Sequence, residues 1–126
     1  MPGSRVLIVD DNKDTRHMIK VLLEVCGYEV AEAANGESAT RLARKLKPQL
    51  ILMDLMMSHV DGFDATKRIR RIKEMAHVPI IVLSAYVCDF DIKHRAIKVG
   101  ANECLEKPSD IKKLKSVIGK YLPAAA

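Results

Sequence analysis

Asp10, Asp11, Asp54, Ser84 and Lys107 each stand at the C-terminal end of a short apolar run or close behind one. Gathered in one place, they would have a definite chemistry. Three carboxylates held close repel one another. A hard divalent cation removes that conflict, and carboxylate oxygens suit Mg²⁺ better than Zn²⁺. Mg²⁺ keeps some of its waters and reserves positions for phosphate oxygens. Lys107 then offers a point charge and Ser84 a hydroxyl donor, which is what a phosphoryl group needs. The carboxylate left as nucleophile would form an acyl phosphate. The set predicts phosphoryl transfer to an aspartate.

Such a gathering requires a scaffold that brings residues 10 to 107 to one rim. Purely apolar runs occur at 6–9, 50–53 and 79–83, with weaker strand-like pieces at 28–33 and 102–105. Between them lie segments of helical period. The first presents Thr15, Met18/Ile19, Leu22 and Cys26, with Gly27 placed as a C′ glycine. The second presents Ala39, Leu42/Ala43 and Leu46 and ends before Pro48. The third has Ala65, Ile69, Ile72 and Ala76 on one side, and Lys67, Arg68, Arg70, Arg71 and Lys73 largely on the other. A fourth runs through Ile92, Ala96 and Val99 to Gly100, and a fifth through Ile111, Leu114, Ile118 and Tyr121/Leu122 after a Ser109 N-cap. Five repeats of strand then helix imply right-handed crossovers and a parallel α/β sheet covered on both faces. The three apolar strands belong at its centre, and the strands carrying Glu29/Glu32 and Asn102/Glu103 at its edges. In an open sheet of this kind ligands bind outside the carboxyl ends of the strands, where the five residues stand.

The chain has 126 residues, one domain's worth, with no internal linker or repeat. Apolar residues make up 48 % and charged ones 29 %, which excludes disordered and collagen-like classes. Lys+Arg number 21 against 16 Asp+Glu, a net charge of +5 that raises the question of an acidic partner. Aromatics are only 4 %, which argues against a stacking platform for nucleic acid. Cys26, Cys88 and Cys104 form no CxxC pair and read as small hydrophobes in a reducing compartment. The N-terminal apolar run meets two aspartates too soon for a signal peptide or membrane span. A soluble, cytoplasmic protein with no membrane partner is expected.

The pieces VLIVDDN, ILMDLMMSHVDG, PIIVLSA and GANECLEKP, in this order and at these distances, resemble the receiver domain of two-component response regulators over about residues 5–122. The resemblance implies a flavodoxin-like (βα)5 three-layer sandwich with strand order 2-1-3-4-5, one receiver domain over residues 1–126. It implies Asp54 as the phosphoacceptor, served by a sensor histidine kinase or a phosphotransfer protein. Asp10, Asp11, Asp54 and the backbone carbonyl of Met56 would hold Mg²⁺. Ser84 and Lys107 would contact the phosphoryl group, and the Lys107–Pro108 bond is commonly cis in the family. The family's aromatic switch position holds Cys104, and a position that is often proline holds Ser58. Met56 and Tyr86 border the path of an attacking water and are expected to set the lifetime of the acyl phosphate.

Simpler readings compete. Asp11 or Asn12 could merely cap the first helix. Residues 67–73, 93–98 and 112–120 alternate cations with apolar positions, as solvated helix faces do. An acidic partner docking on helices four and five is the sharper alternative. Nucleic-acid binding is disfavoured, since no helix-turn-helix segment follows. Histidines 17, 59, 77 and 94 lack metal-ligand spacing. A phosphatase of the haloacid-dehalogenase type wants an aspartate where Met56 stands. A flavodoxin-like cofactor binder wants hydroxyls where Asp10 and Asp11 stand. A receiver-shaped interaction module that no longer cycles phosphate is the remaining alternative.

Overall fold

The computed structural model describes residues 4–55, 61–85, 89–106 and 111–122. Five parallel strands form one sheet in the order β2-β1-β3-β4-β5. They are β1 (Arg5–Val9), β2 (Glu29–Ala33), β3 (Leu50–Asp54), β4 (Ile80–Ser84) and β5 (Glu103–Glu106). The helices are α1 (Lys13–Val25), α2 (Gly36–Leu46), α3 (Gly62–Arg70), α4 (Phe90–Lys98) and α5 (Ile111–Tyr121). Among the described residues no helix is long and apolar enough to cross a membrane.

The apolar strands are central because both of their faces are covered. Alternate residues point to opposite sides. Leu7, Val9, Ile51, Met53, Ile80 and Val82 pack with α2, α3 and α4 through Ala39, Ala43, Ala65, Ile69 and Ala96. Val6, Ile8, Leu50, Leu52, Ile81 and Leu83 pack with α1 and α5 through Ile19, Leu23, Leu114, Val117 and Ile118. The strands with glutamates are the edges, as their composition requires. Gly27 and Gly100 close α1 and α4 at φ 93° and 113°. In each case the glycine and the residue after it donate back to the helix, Gly27 to Glu24, Tyr28 to Leu23, Gly100 to Ile97 and Ala101 to Ala96. This is the Schellman closure that a C′ glycine permits.

Two expectations from periodicity need correction. In α1 the buried residues are Ile19 and Leu23, while Met18 is half exposed. The third helix does not run on to Ala76. It stops at Arg70, Ile72 is extended, and a single 3-10 turn follows at Lys73–Met75, burying Met75 and leaving Ala76 exposed. Arg70 holds the turn that replaces the last helical residues. Expected on a solvated face, it is half-buried instead, and its guanidinium donates to the carbonyls of Gly100 (2.8 Å), Met75 (2.8 Å) and Val78 (2.6 Å) and to Asn102 Oδ1 (2.8 Å). Those carbonyls lie where helices and turns have ended, so a side chain must satisfy them. The same Asn102 oxygen accepts from the Ile80 N–H at 2.9 Å, which ties the start of β4 to β5. Burial lowers the Arg70 pKa from its ordinary value, yet a guanidinium remains charged at neutral pH.

Arg70→Met keeps the bulk of the stem and removes all four bonds. It should destabilise the fold by about 2–3 kcal/mol, read as a lower urea midpoint with an unchanged slope.

Candidate functional site

The carboxyl ends of β1 and β3 lie side by side, since β1 pairs with both β2 and β3. Asp54 is the last residue of β3 and is buried. Asp10 follows β1, is equally buried, and continues the ladder by donating its N–H to the Ala33 carbonyl at 3.1 Å. Asp11, next along, is exposed. One carboxylate oxygen from each of the three lies within 4.8 Å of the others. Ser84 ends β4 and is buried one residue beyond Leu83, the register partner of Asp54. Four of the predicted site residues are thus carried to one rim by three adjacent strands.

Capping does not explain these aspartates. Asn12 takes that task, its side chain accepting from the Thr15 N–H at 2.9 Å. Asn35, Asp61 and Asp89 cap α2, α3 and α4 in the same way. The Asn12 N–H also donates to Asp10 Oδ1 at 2.8 Å, fixing the orientation of that carboxylate. Lys107, Met56, Ser58, Tyr86, Pro108, Ser109, Cys88 and His59 lie outside the described residues.

The donor set fits a divalent cation on chemical grounds. All three groups are oxygen ligands, and two of them are buried carboxylates that a nearby positive charge would stabilise. No other group of three or more His, Cys, Asp or Glu among the described residues is close enough to hold a metal.

Three features escaped the sequence reading. Gly62 donates its N–H to the Leu55 carbonyl at 3.1 Å, so α3 begins directly against the backbone of the candidate acceptor. A Cβ at Gly62 would collide with the Asp54 carbonyl oxygen and stand 2.7 Å from Leu55 Cα. An Asp-Gly pair shortly after the acceptor is the signal that could have found it. Arg16 reaches from α1 to the carbonyl of Asp10. Cys104 is half-buried on β5, packed against the α2–α4 side of the core. It also borders a groove of about 270 Å³ with Lys93, Ile97, Asn102, Glu103 and Lys120. On α4 beside this groove Ile97 is exposed, and so is Phe90, stacked on His94.

The family profile "Response regulator receiver domain" matches residues 6–119. The chain is 34 % identical to the polar-differentiation response regulator DivK of Brucella anthropi, over 97 % of this chain and 98 % of that one. It spans about half the length of several transcriptional regulators that it also matches, 45 % and 55 % of two of them. The chemotaxis protein CheY4 of Vibrio cholerae superposes with a TM-score of 0.91 at 31 % identity, over 95 % of this chain and 99 % of that one. The receiver domain of the sensor histidine kinase PA1611 from Pseudomonas aeruginosa was solved with a magnesium ion coordinated in its active-site cleft. It superposes with a TM-score of 0.86 at 32 % identity, over 94 % of this chain and 97 % of that one.

Gly62→Ala should destabilise the fold by about 1–3 kcal/mol, because the atoms in the way are backbone and cannot rotate aside. Thermal denaturation followed by circular dichroism checks this, and an unchanged midpoint would show that α3 can back away from Asp54.

Proposed function

The chain belongs to the response regulator receiver family and is a receiver of phosphorelay signalling, and we propose that Asp54 is its phosphoacceptor. The observation that supports this is the convergence of Asp10, Asp11 and Asp54 oxygens within 4.8 Å, beside buried Ser84. In the proposed reaction an Asp54 oxygen attacks the phosphorus of a phosphohistidine. The phosphorus–nitrogen bond breaks as the phosphorus–oxygen bond forms, and the imidazole leaves carrying a proton. Asp10 and Asp11, with Asp54 and the Met56 carbonyl, would hold Mg²⁺, which when bound neutralises charge on the phosphoryl oxygens. Ser84 would donate its hydroxyl to the product, and Lys107 would pair with it as a point charge.

Receiver domains work with histidine kinases or phosphotransfer proteins and with downstream targets, and receiver regulators are signalling proteins rather than classical enzymes. The catalysis proposed for this chain is limited to its own phosphorylation and dephosphorylation. Phosphorylation would draw Ser84 inward and shift a pre-existing equilibrium. The small Cys104, in place of a large aromatic, would let β5 and α4 respond without a ring having to turn. The downstream surface proposed is the exposed face of α4 and α5, where Lys93 lies beside exposed Ile97 and would suit an acidic partner with an apolar anchor, while Lys120 on the same groove is already engaged by Glu103. The acid trio, with Asp10 and Asp54 buried and Asp11 exposed, favours this reading over a module that has stopped cycling phosphate, and neither the phosphatase nor the flavodoxin-like reading is favoured.

Incubation with acetyl phosphate and Mg²⁺ should add the mass of one phosphoryl group to the intact protein. Asp54→Asn should abolish the gain, and so should removal of Mg²⁺. A gain that survives in Asp54→Asn would assign the acceptor elsewhere.

A further inference from the structure

Asp10 is held from three directions. Its N–H donates to Ala33 on β2. Its Oδ1 accepts from the Asn12 N–H at 2.8 Å. Its carbonyl oxygen accepts from Arg16 Nη1 at 2.7 Å. Arg16 is itself fixed, because its Nε donates to Glu32 Oε1 on β2 at 3.0 Å, and its side chain is only 15 % exposed. Glu32 also faces Lys20 one turn further along α1, at 3.9 Å. The planar guanidinium therefore bridges an edge-strand carboxylate and the backbone of a buried aspartate, a task that suits its rigid fork of donors.

A cation placed this close to an acidic pocket has two opposed effects. As a charge, it repels any divalent ion bound there and so weakens binding. As a clamp, it holds Asp10 where its carboxylate faces Asp11 and Asp54, which strengthens binding because a ligand already in place need not be ordered. The geometry favours the clamp. The guanidinium contacts the main chain of Asp10 rather than its carboxylate, and Glu32 already offsets its charge.

We propose that Arg16, braced by Glu32, is a positioning residue for the cation site, fixing Asp10 through its backbone. The proposal rests on the reading of the acid trio as a Mg²⁺ site. It makes the edge strand β2, which contributes no ligand, part of the apparatus that sets cation affinity.

The two effects differ in sign, so calorimetric titration of Mg²⁺ into the full chain separates them. Arg16→Gln should weaken Mg²⁺ binding about tenfold, the lower end of what the loss of a ligand-orienting group typically does. Arg16→Lys keeps the charge but cannot bridge both partners, and it should weaken binding as well. Glu32→Gln should lie between wild type and Arg16→Gln. Melting curves without Mg²⁺ confirm that each variant is folded, and if Arg16→Gln fails to fold, Arg16→Lys decides alone. Unchanged or tighter binding in the folded arginine variants would overturn the positioning role while leaving the cation site standing. Absence of saturable Mg²⁺ binding by the wild-type chain would overturn the cation site itself, and the clamp with it.

Discussion

Two buried carboxylates, Asp10 and Asp54, are carried at the ends of adjacent parallel strands with a third beside them. Placing like charges together out of water is strongly unfavourable unless something opposes their separation. Part of the opposition here is covalent and apolar. Each aspartate ends or follows a strand whose preceding residues are fully buried, and a strand so gripped cannot slide to relieve its last residue. The sandwich of helices around β1, β3 and β4 serves to hold that crowded rim. The helix starts match it, since Asn12 and Asp61 satisfy their own first turns and leave the site aspartates out of capping.

Much of this was legible in the residues. Runs such as VLIV and LILM have no polar side, so they had to be central strands, and the residue ending each run had to fall on the ligand-binding rim. The edges announced themselves through Glu29, Glu32 and Glu103. What could not be read were contacts that depend on the third dimension rather than on period. Arg70 sits among Lys67, Arg68, Arg71 and Lys73 and looks like one more solvated cation. Its difference comes from carbonyls at Met75, Val78 and Gly100, brought near only by the fold. Helical spacing misled beyond position 70 because Ile72 and Met75 are both buried without being helical partners. Asp10 was legible as an acid, but its clamp by Arg16 was not, because an arginine on the first turns of a helix carries no mark of where its fork will land.

The charges of the chain are also distributed with a purpose that a net value hides. Around α1 and β2 the cations Arg5, Arg16 and Lys20 pair with Glu29, Glu32 and Glu24. On the far edge Lys120 and Tyr121 both bond Glu103, and that contact, after burial, raises the Tyr121 pKa. Exposed pairs of this sort contribute little stability singly. Three of these contacts, Arg16 and Lys20 to Glu32 and Lys120 to Glu103, join an edge strand, which lacks a neighbour on one side, to a helix that covers it.

The helices are unequal in how firmly they are held. Four of the nine residues of α3 are buried, whereas in α4 only Ala96 is, with Phe90 and Ile97 left to solvent. Local opening is easiest where few apolar contacts must be broken. Loosening α4 would therefore break fewer apolar contacts than loosening α2 or α3, the other described helices on its side of the sheet. Among the described helices on that side of the sheet, α4 is thus the one whose release from the core would expose the least apolar surface.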